Sequence, residues 1–280
     1  MPELPEVETV RRYLQQRVVG ATVTRIELQR TDLRYPIPVA AVHAIEGRTI
    51  SAVRRRAKYL LLCIDSPPAD VVLVHLGMSG RLFLDDKPDG WRRHEHYRIG
   101  VDGPQFRGVM RYIDARRFGA LDAFEAADEP GHKLLASLGI EPFDEGFTGA
   151  YLHRRSRGRS IALKKFIMDA KVVTGVGNIY ASESLWRAGL SPRKGAGRLT
   201  KPQAARLANA IVDVLTEAVD AGGTTLRDFV GGDKSPGYFQ QRLDVYGRAG
   251  QPCHRCADRT VKAFTMDARS TYWCAGCQKS

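Results

Sequence analysis

Hydrophobic residues recur at helical spacing directly behind the N-terminus. Val7, Val10, Leu14 and Val18 lie three or four residues apart, which places their side chains on one face of a helix. Pro5 suits the first turn of such a helix, where a missing backbone N–H breaks no hydrogen bond. The pattern therefore predicts one amphipathic helix close to the N-terminus.

The pattern then changes to short apolar or alternating segments that are separated by glycine, proline and aspartate. The clearest of these segments are Ala21–Leu28, Tyr59–Ile64, Val71–His75, Arg81–Leu84 and Gly108–Ile113. Many short strands at this spacing are typical of a sandwich or a barrel-like sheet. We therefore expect a β domain that extends to about residue 125.

Prolines and glycines interrupt the pattern between Glu129 and Gly149, and helical spacing dominates after this stretch. The clearest helix begins near Pro202, behind a Thr200 that is suited to cap it, and ends before Gly222. This change predicts a connection over residues 131–149 and a separate helical domain behind it.

Basic residues are concentrated in the second half of the chain. The protein has 280 residues and a formal net charge of +12. Residues 1–150 contain 21 basic and 21 acidic side chains, whereas residues 151–280 contain 22 basic and 10 acidic ones. A local excess fits a surface that follows a polyanion, because each neutralised phosphate releases counterions. A basic surface without a specific partner explains the charge equally well.

The chain contains no apolar run of the about 18 residues that a membrane-spanning helix needs. Charged residues also occupy the N-terminal positions where a secretory signal needs an apolar stretch. We therefore expect a cytoplasmic protein that has no membrane partner.

Four of the five cysteines form two closely spaced pairs near the C-terminus. Two residues separate Cys253 from Cys256, seventeen residues follow, and Cys274 and Cys277 repeat the first spacing. Disulfides are disfavoured in the cytoplasm, and two such pairs are typical of a tetrahedral zinc site. Because four thiolates leave no open coordination position, we expect one structural Zn²⁺ ion.

The second residue offers an unusual nucleophile. Removal of Met1 would expose the ring nitrogen of Pro2 as a secondary amine. An α-amino group with a pKa of about 7.8 is roughly 15% unprotonated at pH 7, against about 0.04% for an unperturbed lysine. A secondary amine that attacks a sugar carbon forms an iminium ion directly. From Met1 and Pro2 alone, however, an ordinary chain start is the simpler interpretation.

Further motifs along the chain change this interpretation. They are Pro2–Thr9, Arg55–Leu60, His75–Gly80, Asp114–Gly119, Gly175–Glu183 and Pro236–Phe239, followed by the cysteine pairs. In this order they resemble the formamidopyrimidine-DNA glycosylase family over essentially the whole chain. Several independent motifs in the same order are far less probable by chance than one motif alone.

The resemblance implies a bifunctional DNA glycosylase and abasic-site lyase. It would excise oxidised purines, namely 8-oxoguanine and formamidopyrimidines, from double-stranded DNA. Pro2 would attack the deoxyribose C1′ to form an imine, and Glu3 would be the acid that opens the sugar. Lys58 is the third implied catalytic residue, and Glu3, Lys58 and Arg269 are the implied proton donors. Strand cleavage by β,δ-elimination would follow.

The resemblance also implies which residues contact DNA. These residues are His96, Arg116, Lys164, Asn178 and Arg269. Ala115 and Lys165 depart from the pattern, because the family has proline at both positions. Without the proline at position 115, we expect a looser turn before Arg116.

Base flipping leaves a gap in the duplex that apolar and cationic side chains can fill. Met78, Arg116 and Phe118 match the residues that fill this gap in the family. Tyr238 and Phe239 lie in a loop that the family uses to cover the flipped base.

We therefore expect an α+β protein. An N-terminal β-sandwich catalytic domain with flanking helices would span residues 1–130, and a linker would follow at 131–149. A helical, helix–two-turn–helix DNA-binding domain would span 150–240. A C-terminal zinc-finger β-hairpin would occupy 241–280, and the protein would work as a monomer.

Three alternatives stay open. An endonuclease VIII-like enzyme shares the architecture and the proline chemistry but prefers oxidised pyrimidines, although it usually has glycine where this chain has Leu4. A lesion-binding protein that does not cleave would be expected to lack Pro2, Glu3 or Lys58, and all three are present. A zinc-ribbon RNA-binding factor would leave the first 120 residues without a role.

Overall fold

A computed structural model describes residues 2–67, 69–223, 243–256 and 258–279 of the chain. These residues belong to two compact units. The first unit runs to Ala136 and resumes at Ala221, and the second runs from Ser137 to Asp220 and includes the C-terminal segment. Within the described ranges, no helix combines the length and the apolar character needed to cross a membrane.

Helix α1 (Leu4–Val18) follows the N-terminus, as the hydrophobic spacing predicts. Its completely buried face consists of Leu4, Val7, Val10, Leu14 and Val18. Glu6 closes the first turn, because its Oε2 accepts the backbone N–H of Glu3 at 2.8 Å. The N-terminal residues are thereby held to the start of the helix.

The first unit continues mainly as strands. In chain order its elements are β1 (Thr22–Leu28), α2 (Val39–His43), β2 (Ile50–Arg56), β3 (Tyr59–Ile64), β4 (Val71–His75), β5 (Arg81–Asp85), β6 (Glu95–Asp102), β7 (Arg107–Ile113) and β8 (Ala120–Phe124). One antiparallel sheet has the order β1-β6-β7-β5, and the other has the order β2-β3-β4-β8. Side chains from both sheets and from α1 share one hydrophobic core. The predicted β-sandwich with flanking helices is confirmed.

Charged side chains are buried within the first of these sheets. Arg111 is completely buried, and its guanidinium pairs with Asp85 at 2.7 Å and with Glu95 at 2.8 Å. Arg98 pairs with the same Glu95 at 2.7 Å and donates to the carbonyl of Gly90 at 2.6 Å. Removal of one partner would leave a buried charge uncompensated. The cluster therefore fixes the segment between β5 and β6.

The second unit contains helices and a hairpin. Its helices are α3 (Gly149–Ser156), α4 (Leu163–Met168), α5 (Asn178–Arg187) and α6 (Lys201–Asp220), and its strands β9 (Lys262–Met266) and β10 (Arg269–Trp273) pair antiparallel. Helix α6 is the helix expected near Pro202. Thr200 caps it as predicted, because its Oγ1 accepts the N–H of Gln203 while Gln203 Oε1 accepts the N–H of Thr200. The predicted α+β class is confirmed.

A buried carboxylate joins α5 to the segment that leads to the hairpin. Glu183 accepts the backbone N–H groups of Asp244, Val245 and Tyr246 at 2.8–3.0 Å. Burial raises the pKa of Glu183, although these three hydrogen bonds oppose the shift. Because backbone donors occupy this side chain, it supports the structure of the second unit.

Candidate functional site

The N-terminal residues lead directly into α1. Pro2 is buried, and Glu3 and Glu6 each expose only 2% of their surface. Glu3 is the residue that caps the helix, and the Glu6 carboxylate binds its backbone N–H. The structure therefore keeps Pro2 beside Glu3 at a fixed helix start, where a small change in the helix would move both residues.

Lys58 lies in the two-residue turn between β2 and β3, after an Ala57 with a left-handed φ of 54°. The Arg55 guanidinium braces this turn: Nη1 donates to the Ala57 carbonyl at 2.9 Å, and Nε donates to Glu8 Oε2 at 3.0 Å. Glu8 belongs to α1, so the brace connects the helix that carries Glu3 to the turn that carries Lys58.

The two side chains of this brace are almost buried, with exposed fractions of 10% for Arg55 and 12% for Glu8. Burial by itself would raise the pKa of Glu8. Hydrogen bonds and charges from Arg11 and Arg55 outweigh that effect and hold the pKa below its usual value. Glu8 therefore stays ionised at neutral pH and keeps its attraction for Arg55.

His75 lies at the end of β4 and is kept neutral. Burial, followed by the charges of Lys58 and Arg34, lowers its pKa to about 4. Its Nδ1 accepts the N–H of Gly77 at 3.3 Å, and its ring also donates to the Phe118 carbonyl. The neutral imidazole therefore binds two loops at once, because a protonated ring would have no acceptor for Gly77.

These two loops carry the side chains that the sequence assigns to filling a duplex gap. Met78 is half-buried on the loop between β4 and β5, and Phe118 is 41% exposed on the loop between β7 and β8. Arg116 stacks over the Phe118 ring at 4.9 Å from its centroid. The structure thus brings the three predicted residues onto adjoining loops of one unit.

Asp114 is the junction of the two loops, and it is completely buried. Its Oδ1 accepts the Ser79 hydroxyl at 2.6 Å and the Arg116 N–H at 3.2 Å, and its Oδ2 accepts the Gly119 N–H at 2.9 Å. Because Asp114 makes these contacts itself, the turn before Arg116 is well defined without a proline at position 115. The expectation of a looser turn stays a prediction.

The structure buries His96, which the sequence assigns to DNA. His96 is 6% exposed, and its Nε2 lies 2.7 Å from the carbonyl oxygen of Asp114. His94 precedes β6 and is exposed, with a left-handed φ of 63°. Its carbonyl accepts the Asp114 N–H at 2.9 Å, so it adjoins the loop of Arg116. His94 is therefore the better placed of the two histidines for a surface contact.

In the second unit, Lys164, Asn178 and Arg269 line one cavity of about 150 Å³. Lys164 is 2% exposed, and its Nζ donates to Asn178 Oδ1 at 2.6 Å and to Thr271 Oγ1 at 2.8 Å. Asn178 opens α5 and Arg269 opens β10. Lys165 and Arg269 are the exposed cations at this cavity and fit an anion such as a phosphate group, while Asp169 and Asp267 also line it. The ammonium of Lys164 also donates to the Ser270 carbonyl, so it positions Asn178 and the hairpin. These predicted DNA-binding residues are therefore brought together.

The four cysteines of the C-terminal pairs converge beside the hairpin. Their sulfur atoms all lie within 4.8 Å of one another. Cys253 and Cys277 have sulfurs 3.8 Å apart, and Cys256 and Cys274 have sulfurs 3.3 Å apart. Tetrahedral zinc with bonds of about 2.3 Å places its thiolates about 3.8 Å apart, so the cluster fits such an ion. The four cysteines can therefore hold a metal ion.

The metal site is supported by neighbouring side chains. The Trp186 indole N–H donates to Cys253 Sγ at 3.4 Å, and the Gln278 side chain accepts the Cys274 N–H at 2.7 Å. Gln278 also donates to the Leu190 carbonyl at 2.9 Å. These contacts orient the thiolates and attach them to the end of α5.

Tyr238 and Phe239 of the predicted lesion loop lie outside the described residues.

Two family models match the chain. One is described as the formamidopyrimidine-DNA glycosylase N-terminal domain and matches residues 1–121. The other is described as the formamidopyrimidine-DNA glycosylase H2TH domain and matches residues 138–230.

Individual proteins are similar over the full length. A formamidopyrimidine-DNA glycosylase from Xanthomonas euvesicatoria is 48% identical over 279 residues, which cover 100% of each chain. The crystal structure of the MutM (Fpg) protein from Thermus thermophilus is 38% identical, with a TM-score of 0.87 over 99% of this chain and 98% of that chain. The Fpg (MutM) of Lactococcus lactis, solved with DNA that contains N7-benzyl-Fapy-dG, is 30% identical, with a TM-score of 0.90 over 100% of both chains.

Proposed function

Because the chain belongs to the formamidopyrimidine-DNA glycosylase family and is thus a DNA glycosylase of base-excision repair, we propose that it excises oxidised purines from duplex DNA. Its substrates would be 8-oxoguanine and formamidopyrimidines. The same enzyme would then cleave the strand at the abasic site. The solved complex of the Lactococcus lactis relative with N7-benzyl-Fapy-dG-containing DNA supports this substrate class. Another complex of that relative contains an oxidised pyrimidine, so the experiment below compares both classes of lesion.

The single observation that carries the proposal is the brace through Glu8 and Arg55. It fixes the Lys58 turn to the helix whose start holds Pro2 and Glu3, and the pair joins at 3.0 Å in an almost buried position. A nucleophile, an acid and a cation held on one scaffold are what an amine-catalysed reaction at a sugar carbon requires.

In the proposed mechanism, the free amine of Pro2 attacks C1′ of the damaged nucleotide. The bond from C1′ to the base breaks, and the base leaves with a proton. Glu3 protonates the sugar ring oxygen, so that the ring opens and the new C–N bond becomes an iminium. The iminium acidifies the neighbouring C2′, and loss of a C2′ proton breaks the C3′–O bond and expels the 3′ phosphate. Loss of a C4′ proton from the resulting conjugated iminium then breaks the C5′–O bond and expels the 5′ phosphate. Lys58 and Arg269 would donate protons or bind the phosphates.

DNA binding would use both described units. Lys164, Asn178 and Arg269 would bind a backbone phosphate at their shared cavity. Met78, Arg116 and Phe118 would fill the gap that the extruded nucleotide leaves. For the contact that the sequence assigned to His96, we propose His94, because it is the exposed histidine of the pair.

The metal would be one structural Zn²⁺ ion held by Cys253, Cys256, Cys274 and Cys277. Four thiolates close the coordination sphere, so the ion would stabilise the hairpin that presents Arg269. The protein would act on DNA as a monomer.

Borohydride trapping tests the proposal. Reduction should link the protein covalently to a duplex that carries one 8-oxoguanine opposite cytosine, because it captures the imine. Pro2→Gly and a form extended at the N-terminus should both lose the trapped complex.

Two results would change the assignment. Weak trapping on 8-oxoguanine with strong trapping on an oxidised pyrimidine would indicate an endonuclease VIII-like specificity. Tight lesion binding without trapping on either duplex would indicate a binding protein that does not cleave.

A further inference from the structure

An exposed ion pair connects α4 to the tip of the β9–β10 hairpin. Lys165 Nζ lies 2.7 Å from Asp267 Oδ2, and the two side chains are 44% and 61% exposed. Both residues line the cavity that also holds Lys164 and Arg269.

The hairpin tip fixes where Asp267 lies. Met266 pairs with Arg269 across a two-residue turn, and the turn residues Asp267 and Ala268 have left-handed φ angles of 48° and 58°. Two consecutive left-handed residues form the tight hairpin turn that matches the twist of the strands. Asp267 is therefore held two residues before Arg269, with its carboxylate on Lys165.

The two lysines at the cavity differ in how freely their side chains can move. Lys164 is buried and already donates to Asn178 and Thr271, which fixes its ammonium in place. Lys165 is exposed on a flexible four-carbon stem, and an exposed ion pair is weak enough to exchange. A phosphate that enters the cavity would meet Lys165 already neutralised by Asp267.

We propose that Asp267 competes with DNA phosphate for Lys165. In the free protein Asp267 neutralises this lysine, and in the complex Lys165 is shared between the carboxylate and the phosphate. The proposal rests on the proposed phosphate-binding function of the cavity. Its consequence is that Asp267 limits the affinity for DNA of any sequence, since phosphate contacts carry no sequence information.

Asp267→Asn tests this competition. Asparagine has almost the same shape and tolerates the left-handed backbone, so the turn is retained. Binding to an undamaged labelled duplex is measured by fluorescence anisotropy between about 50 and 300 mM salt. We expect binding about two- to fivefold tighter at the low-salt end, which is the range of an exposed ion pair. The slope of log K against log salt should steepen by up to about 0.9, because one more phosphate is neutralised.

Two further variants make the result specific. Lys165→Ala combined with Asp267→Asn should abolish the gain, because the freed lysine is its cause. Asp258→Asn is the matched control: its carboxylate is also exposed and pairs with Arg259 at 3.3 Å, but it does not line the cavity. This control removes the same charge. It should leave the affinity within about twofold of that of the parent protein, which is no more than the weakest effect expected of an exposed ion pair.

Each other outcome decides against the inference. A gain that survives Lys165→Ala, or an equal gain from Asp258→Asn, would mean that only net charge matters. Unchanged binding by Asp267→Asn, with DNA binding by the parent protein intact, would overturn the competition and leave the proposed function standing. If the parent protein does not bind duplex DNA at all, the competition and the proposed function are both contradicted. Zinc content and thermal melting of each variant establish that the hairpin is intact.

Discussion

His75 can bind its two loops only while its ring is neutral, and the first unit keeps it neutral. Burial, then the charges of Lys58 and Arg34, depress its pKa from 6.5 to about 4. The folded protein therefore keeps the ring neutral where the unfolded chain would protonate it. The unfolded state binds more protons between these two values, so the stability that His75 contributes is complete above pH 6.5 and is lost as the pH falls toward about 4.

This shift predicts an acid-sensitive stability. Between pH 7 and pH 5 the protein should lose about 2 kcal/mol more free energy of unfolding than the variant His75→Gln, which has no titrating ring. Urea unfolding of both proteins at the two pH values measures the difference. The hydrogen bonds lost in the variant lower its stability at both pH values, so only the change with pH is compared. Parallel pH dependence in the two proteins would contradict the depressed pKa.

The sequence did not predict which of the two histidines near β6, His94 or His96, is exposed. The resemblance assigned a contact with DNA to His96, whereas the structure exposes His94 and buries His96. Which of them reaches the surface depends on where β6 begins, and the strand begins at Glu95. Our proposal of His94 thus differs from the sequence-based assignment by two residues, and the difference depends on a strand boundary, which sequence patterns locate poorly.

At the scale of elements, α1 and the β2–β3 hairpin are joined by the pair of Glu8 and Arg55. Glu8→Gln removes the charge that holds Arg55, so the turn with Lys58 would shift relative to the start of α1. We expect the single-turnover rate of base release to fall by about tenfold, since small displacements of reacting groups are costly. DNA affinity should change little. The melting temperature should fall, because the almost buried Arg55 loses its charged partner, so the rate is measured well below the melting temperature of the variant.

The control for this variant is Glu217→Gln, whose carboxylate pairs with Arg187 and is 46% exposed in the second unit. It should release the base at the parent rate. Equal rates for Glu8→Gln and the parent protein would show that the brace does not position Lys58.

Five of the eight described strands in the first unit match segments that the sequence pattern named. Predicted segments for β1, β3, β4, β5 and β7 match the structure to within one residue at each end. The named segments leave out β2, which carries Arg54, Arg55 and Arg56, as well as β6 and β8. Within β6, Glu95 pairs with Arg98 three residues on, but it also pairs with Arg111 of β7, and no local pattern reports that second pairing.

At the scale of the whole molecule, the excess of positive charge and the cysteine cluster both belong to the second half of the chain. The net charge of +12 arises from residues 151–280, which also contain the cysteine cluster. The cysteine spacing predicted this cluster fully, since chelation needs the same four residues in any fold. The cavity beside it depends on contacts between distant segments, such as that of Lys164 with Thr271, and was not predictable from spacing.

Cys274→Ser should lower zinc content and DNA affinity together. Three thiolates hold the ion more weakly, and without it the hairpin that carries Arg269 loses its support. Zinc is measured by atomic emission and DNA binding by anisotropy, while the β-sandwich, which has its own core, serves as the internal reference in circular dichroism. Retained zinc with normal DNA binding would contradict the closed four-cysteine site.

The shared carboxylate of Asp114 also has an evolutionary consequence. One side chain satisfies donors from the loop of Met78, through Ser79, and from the loop of Arg116. The two loops also pack backbone against backbone, because a Cβ at Gly77 would lie 2.5 Å from the Gly119 nitrogen. Neither loop can lengthen or change its path by mutation unless the other accommodates it. A change in either of these two segments, about 35 residues apart in sequence, would therefore require a matching change in the other.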